Sequence, residues 1–403
     1  MNKNFNLLIS FFLLLTTIFI GLSCQSTPAE LSVHDFKFDG SLGSAGAKIE
    51  KLERNHFKVS LGHAPNHPDW SNMLQFEITG NARGNTLRLD VEFQHEKPHY
   101  YFNHYFNSWS YDGEEWYPIQ WKGYQATIRS SDVLIFPEFT ENIVYVGHQV
   151  PLSYERLEKF INNWGKNPYV GKNILGKSIQ GKNLYRLTLS DTSQSIKKWV
   201  HYFSNQHPGE HNAQWRMVGM INWLLSNDGA GYLKQNIHHF IFMMSPDAPS
   251  HGWYRVNAQG VDMNRSYRGQ GSDMNEQTHE AYIYQKDLED IMYSKNPVTD
   301  IWSMHTWQGA VEPIMLAGPE IGSMVGDYTH LRDIILRNDL SILIEPLRLS
   351  KTNPQNNRRW THGPHLQFGI TAVLCEGAGN FYTKRENIES GVVLIKSIAE
   401  FYR

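Results

Sequence analysis

The chain has 403 residues, more than a single hydrophobic core usually serves, so two folded units are expected. Its 40% hydrophobic and 19% charged residues are ordinary for a globular protein, and a net charge of −3 gives no basis for a nucleic-acid partner. Small molecules and peptides are left as ligands.

The chain opens with Lys3 in a short polar start, followed by an apolar run over residues 7–20. That run is short for a membrane span and has the length of an export-signal core. It ends at Gly21-Leu22-Ser23-Cys24, which resembles the cleavage box of bacterial lipoproteins, and polar Gln25-Ser26-Thr27-Pro28 follows. The resemblance implies a signal peptide over residues 1–23, a lipidated Cys24 and a tether over 24–35. It also implies a place in the bacterial cell envelope, periplasmic or surface-exposed, with the lipid held in a membrane. An ordinary signal peptide cut nearby is the alternative. Cys375 is the one other cysteine, so no disulfide framework exists, and its apolar strand context predicts a buried, inert thiol.

Residues 36–150 read as an all-β sandwich domain. Leu87, Leu89, Val91 and Phe93 alternate with Arg88, Asp90, Glu92 and Gln94, the pattern of a strand with one buried face. The 75–78 segment alternates likewise, with a turn signal over residues 81–84 between the two. Asp112-Gly113 marks a hairpin before Trp116 and Tyr117.

From residue 151 to 403 the rhythm is that of an α/β domain, with a mixed, largely parallel sheet flanked by helices. A helix over 151–163 opens it, carrying Tyr154, Leu157, Phe160 and Ile161 on one side. Four apolar strands follow, over residues 199–204, 238–245, 301–304 and 369–375. Just beyond them stand His207 and Glu210, Pro246-Asp247, His305 and Glu376. Ligands of open α/β sheets collect beyond the carboxyl ends of strands.

His207-Pro208-Gly209-Glu210 sets an imidazole and a carboxylate around a Pro-Gly bend, ahead of a buried-helix pattern through Trp215, Val218, Ile221 and Leu224. Two histidines and one carboxylate suit a catalytic zinc, which keeps one position open. Among 19 histidines, a lone H-x-x-E is as readily a surface turn.

Four segments in order carry a more specific signal. His207 to Asn212 followed by Trp215, Met217 and Gly219 resembles the zinc signature of the cytosolic branch of the zinc metallocarboxypeptidases. Gly260-Val261-Asp262-Met263-Asn264-Arg265, Ser303-Met304-His305-Thr306 and Thr371-Ala372-Val373-Leu374-Cys375-Glu376 resemble the later motifs of that family. Leu74 to Glu77 and the stretch 101–116 are similar to the β-sandwich that precedes the catalytic domain in that branch.

The resemblance implies one zinc ion held by His207, Glu210 and His305, with Asp262 fixing a ligating histidine from behind. It implies Glu376 as the catalytic glutamate that activates a zinc-bound water, and Arg255 as the cation facing the developing oxyanion. Asn264 and Arg265 would grip the terminal carboxylate of a peptide. No tyrosine stands between Tyr328 and Tyr382, where the family places a substrate-capping one; Trp360, His362 and His365 are the residues at hand. The pair Arg358-Arg359 either meets an acidic substrate side chain or is a solvated basic pair. The expected function is removal of C-terminal amino acids from peptides. The alternatives are an amide or ester hydrolase of the same fold acting on an acylated amino acid or glycan, and a catalytically dead binding lipoprotein.

Overall fold

The structure is a computed structural model that describes residues 28–93, 107–119, 121–122, 131–306, 315–317, 328–339, 357–360, 362–377 and 383–403. The expected signal peptide and Cys24, residues 101–106 of the 101–116 stretch and the Ala378-Gly379 pair lie outside the described residues. Among those described, no helix is long and apolar enough to cross a membrane.

The N-terminal strands are β1 (Phe36–Lys37), β2 (Lys48–Glu53), β3 (His56–Ser60), β4 (His63–Ala64), β5 (His67–Ser71) and β6 (Phe76–Ile78). They continue as β7 (Leu87–Glu92), β8 (Asn107–Ser110), β9 (Tyr117–Pro118), β10 (Trp121–Lys122), β11 (Ser131–Phe136) and β12 (Val144–His148). One sheet runs β1-β6-β12-β8-β9 and the other β10-β11-β7-β3-β2, with β4-β5 as a separate hairpin. The alternation in β7 works as expected: Leu87, Leu89 and Val91 are buried while Arg88 is exposed. They join Phe57, Val59, Phe76, Ile78, Val144 and Val146 in one core. Burial of each such side chain contributes roughly 1.5–3 kcal/mol. The chain through Asn81 and Gly84, both with positive φ, crosses between the sheets, so β6 and β7 never pair. β7 instead lies parallel to β3 and antiparallel to β11.

The second unit begins with α1 (Tyr154–Trp164), whose N-cap Ser153 accepts a hydrogen bond from the backbone N–H of Arg156. Its strands are β13 (Val170–Lys177), β14 (Asn183–Leu189), β15 (Trp199–Ser204), β16 (Asn236–Ile241), β17 (Asp300–Met304), β18 (Met315–Ala317) and β19 (Thr371–Glu376). They form one sheet in the order β13-β14-β16-β15-β17-β19-β18. The four central strands are parallel, and both edges are antiparallel. The β13-β14 hairpin adds an edge beyond the four expected strands. β16 stops at Ile241 rather than running to 245, because the Ile241 carbonyl accepts from Asn205 N as both chains leave the ladder. β19 starts at Thr371; Gly369, at φ +71°, instead closes the preceding helix by donating to His365 O.

Helices α2 (His211–Leu224), α3 (His279–Met292), α4 (Tyr328–Asn338), α5 (His362–Phe368) and α6 (Lys384–Phe401) complete the unit. α2 and α6 meet backbone to backbone. A Cβ on Gly219 would lie 2.0 Å from Ile388 O, and one on Gly391 would lie 1.9 Å from Arg216 O. This crossing presses α2 into the core, with nearly every residue from His211 to Ile221 buried.

Burial of histidines in β16 makes the fold sensitive to acid. His238 stacks on His201 at 4.9 Å, and neither of its ring nitrogens has a hydrogen-bond partner. Burial, then His201 and His239, holds its pKa well below the ordinary value. Burial, then Arg186 and His201, does the same for His239. The unfolded chain takes up both protons below about pH 6.5, so stability present above that pH is lost as pH falls, by up to about 1.4 kcal/mol per unit for each group. Denaturant unfolding of the metal-free protein between pH 7.5 and 5.5 should show this slope. H238F should flatten the slope by up to about 1.4 kcal/mol per pH unit; an unchanged slope would exclude His238 as a source.

Candidate metal centre

β15 ends at Ser204, and the next six residues form a loop fastened on every side. Asn205 Nδ2 donates to Met304 O at 2.8 Å, and its Oδ1 accepts from Gln214 Nε2 at 3.1 Å. The Pro208-Gly209 bend closes with Glu210 N donating to His207 O, which turns both side chains to one side. Gly209 N donates to Tyr254 O. A Cβ at Gly209 would stand 2.6 Å from Tyr254 Cδ2 and 2.9 Å from Met73 Sδ, so only glycine fits. Glu210 occupies the N-cap of α2 without capping it by its side chain; the carboxylate turns to the histidines instead.

His207 Nδ1 lies 2.7 Å from Glu210 Oε1, and His305 Nδ1 lies 2.8 Å from Glu210 Oε2. The two Nδ1 atoms are 3.1 Å apart. All three donor groups lie within 4.8 Å of one another and are buried. The second nitrogen of each ring is engaged from behind. His207 Nε2 is 3.0 Å from Asp262 Oδ1, and His305 Nε2 is 2.8 Å from Ser303 Oγ. Ser303 Oγ donates to Gln206 Oε1, so it accepts from His305 Nε2–H. Both rings then present an Nδ1 lone pair to the same point, and the repulsion between them calls for a cation. Two imidazoles and a carboxylate are a fitting donor set for zinc. Thr306 N donates to Glu210 Oε2 at 3.0 Å and steadies the carboxylate. Burial opposes the charge on Glu210, yet His207 and His305 hold its carboxyl well below the usual range.

The other expected residues surround this point. Asp262 Oδ2 accepts from Arg255 Nε at 2.6 Å, so one carboxylate ties the His207 ring to the Arg255 guanidinium. Asn264 is buried; its Nδ2 lies 3.3 Å from His305 Nε2, and its Oδ1 accepts from Trp360 N. Arg265 donates from Nη1 to Asn264 O. Glu376 ends β19, beside the strand that delivers His305, with His305 N donating to Cys375 O. Its Oε2 is buried without a hydrogen-bond partner among the described residues, and burial followed by Glu210 pushes its pKa up to about 8. Cys375 is buried as expected, its thiol pushed up to about 12.

Trp360 is fully buried and donates from Nε1 to Ser266 Oγ, so it is part of the wall rather than a substrate cap. His362 is buried and His365 Nδ1 bonds to Ile370 O. Arg358 is exposed and borders a polar cleft of about 250 Å³ with Arg268, Gln270 and Gln277.

Two contributions are not legible as motifs. The β-sandwich clamps the loop that carries Arg255 and Asp262: Ala45 N donates to His251 O, Met73 N to Gly252 O, and His67 Nε2 lies 2.6 Å from Gly260 O. Inside α2, Arg216 is fully buried and its Nη2 donates to His305 O. A charged residue between Trp215 and Met217 in a buried-helix pattern was the available signal for it.

Residues 159–296 match the family model described as zinc carboxypeptidase, a stretch that includes His207, Glu210, Arg255 and Asp262 and stops before His305. An uncharacterised protein of Zymomonas mobilis is 32% identical over 240 residues, covering 55% of this chain and 57% of that protein. Cytosolic carboxypeptidase 2 of Danio rerio is 30% identical over 176 residues, 41% of this chain and 23% of its own length. The chain thus spans little more than half of the first relative and under a quarter of the second. Among solved structures, a metallo-carboxypeptidase from Burkholderia cenocepacia shares the fold, with a TM-score of 0.75 at 18% identity over 93% of this chain and 98% of that one. A metallo-carboxypeptidase from Pseudomonas aeruginosa does so with a TM-score of 0.74 at 18% identity, over 91% of this chain and 100% of that one. The matched stretch carries two of the three zinc-fitting donors and the fold is shared across both units, so residues 159–296 of this chain are part of a zinc carboxypeptidase-like domain.

Proposed function

We propose that this protein is a metallocarboxypeptidase that hydrolyses the last peptide bond of peptides with a free terminal carboxylate. The observation that carries this reading is the convergence of His207, Glu210 and His305 on one point, with the unpartnered Glu376 carboxylate oxygen on the neighbouring strand end. A zinc ion held there supplies Lewis-acid polarisation of the scissile carbonyl and lowers the pKa of water.

The chain's own residues do the rest. Glu376 takes the proton of the attacking water as the C–O bond forms, then gives it to the amine as the C–N bond breaks. Burial, which disfavours its charged form, helps it to hold that proton between the two steps. Arg255, fixed by Asp262, keeps a positive charge beside the pocket for the carbonyl oxygen as it becomes anionic. Arg265 offers a planar fork for a terminal carboxylate. Asn264, anchored by Trp360 N donating to its Oδ1, is placed to donate from Nδ2 to the same carboxylate, since the His305 Nε2–H is itself a donor and cannot accept from it.

We also propose attachment to a membrane of the cell envelope through a lipid on Cys24, on the strength of the apolar run and the Ser23-Cys24 box alone.

E376Q should keep stoichiometric zinc while its kcat on a C-terminal-residue release assay falls by roughly 10²–10⁴-fold. Full activity in E376Q would remove the proposed proton carrier. R265A should lose roughly a hundredfold in kcat/KM on free-carboxylate peptides. Equal loss on carboxyl-blocked substrates would favour the amide or ester hydrolase. C24S should move the protein from the membrane fraction to the soluble fraction of cells; unchanged partitioning would dismiss the lipid anchor.

A further inference from the structure

Arg216 has no part in the chemistry proposed above, yet it is fully buried beneath the metal centre. Burying a guanidinium costs several kcal/mol, so a role in packing alone would be better filled by methionine or leucine. Its setting points elsewhere. The α2-α6 crossing fixes the Arg216 backbone, since no side chain fits at Gly391. From that fixed point the guanidinium reaches across the core and donates from Nη2 to the carbonyl of His305. The other side of the His305 peptide is held by His305 N donating to Cys375 O. A side-chain bond from the helix and a main-chain bond to the sheet therefore fix the backbone of the residue whose Nδ1 completes the donor set. The positive charge sits within electrostatic reach of Glu376 and Glu210, which offset it.

We infer that Arg216 is a positioning residue for the metal centre, holding His305 through its main-chain carbonyl so that the imidazole meets His207 and Glu210 at one point. This rests on the zinc reading of that centre. Loss of partners behind metal ligands typically weakens metal affinity 10–100-fold.

The test is zinc affinity of the purified protein, measured by competition with a chromophoric chelator, for wild type, R216K and R216M. Wild type should bind one zinc; failure there would remove the metal reading and this inference with it, whereas the variants test the inference alone. R216K keeps the charge with a shorter reach and should bind zinc about tenfold more weakly. R216M should be weaker still, towards a hundredfold. The cobalt-substituted variants should show a shifted visible absorption band as His305 is displaced. A residue that merely packed α2 would lower the unfolding temperature of the metal-free protein and leave zinc affinity alone. Affinity within twofold of wild type in both variants would overturn the inference, as would tighter binding in R216M, which would mark the guanidinium as an electrostatic burden on the ion. If R216M does not fold, R216K decides by the same criterion.

Discussion

Two imidazole nitrogens held 3.1 Å apart, with one carboxylate spanning both, form an arrangement that only positive charge between them stabilises. Much of the second unit can be read as the means of holding that arrangement. His207 and Glu210 come from the bend after β15 and His305 from the end of β17, and each is fixed by a partner behind it. Asp262 orients the first histidine, Ser303 and Gln206 orient the second, and Thr306 N steadies the carboxylate. Several are buried polar groups that would be costly alone, and their mutual hydrogen bonds offset that cost.

The β-sandwich belongs to this arrangement. Its residues 43, 45 and 73 donate main-chain N–H groups, and His67 its ring, to carbonyls of the loop over 249–262, and Met73 leaves space only for glycine at position 209. The loop so held carries Arg255 and Asp262, which join the metal-binding ring to the proposed oxyanion cation through one carboxylate. The core of the β-sandwich takes in Tyr254 of the next domain, so this unit supports the geometry of the site there. Charge is balanced within the same volume: Glu210, Asp262 and Glu376 face His207, His305, Arg255 and Arg216.

Local pattern made part of this visible. The alternation at residues 87–92 predicts its strand and buried face, because a strand's two faces differ in hydration residue by residue. The run at 199–204 predicts β15 to the residue, and the Pro-Gly bend after it sets the first histidine and the glutamate three apart. Chemistry-bearing residues just past strand ends could be named as one group because parallel sheets bring such ends to one edge. Where the signal was weaker, boundaries drifted, as at Ile241 and Thr371, whose strand ends are set by hydrogen bonds to neighbouring strands and helices rather than by their own side chains.

The residue types, their order and the strand-end positions of His207, Glu210, His305 and Glu376 were therefore decided along the chain. Tertiary structure alone decided that Asn264 turns to His305 and Trp360, that Met73 presses on Gly209, and that Arg216 bonds to the His305 carbonyl. The physical reason is range. Hydrophobic period and turn chemistry act over a few residues, whereas these contacts join positions 41 to 136 residues apart, whose meeting depends on how sheets and helices stack.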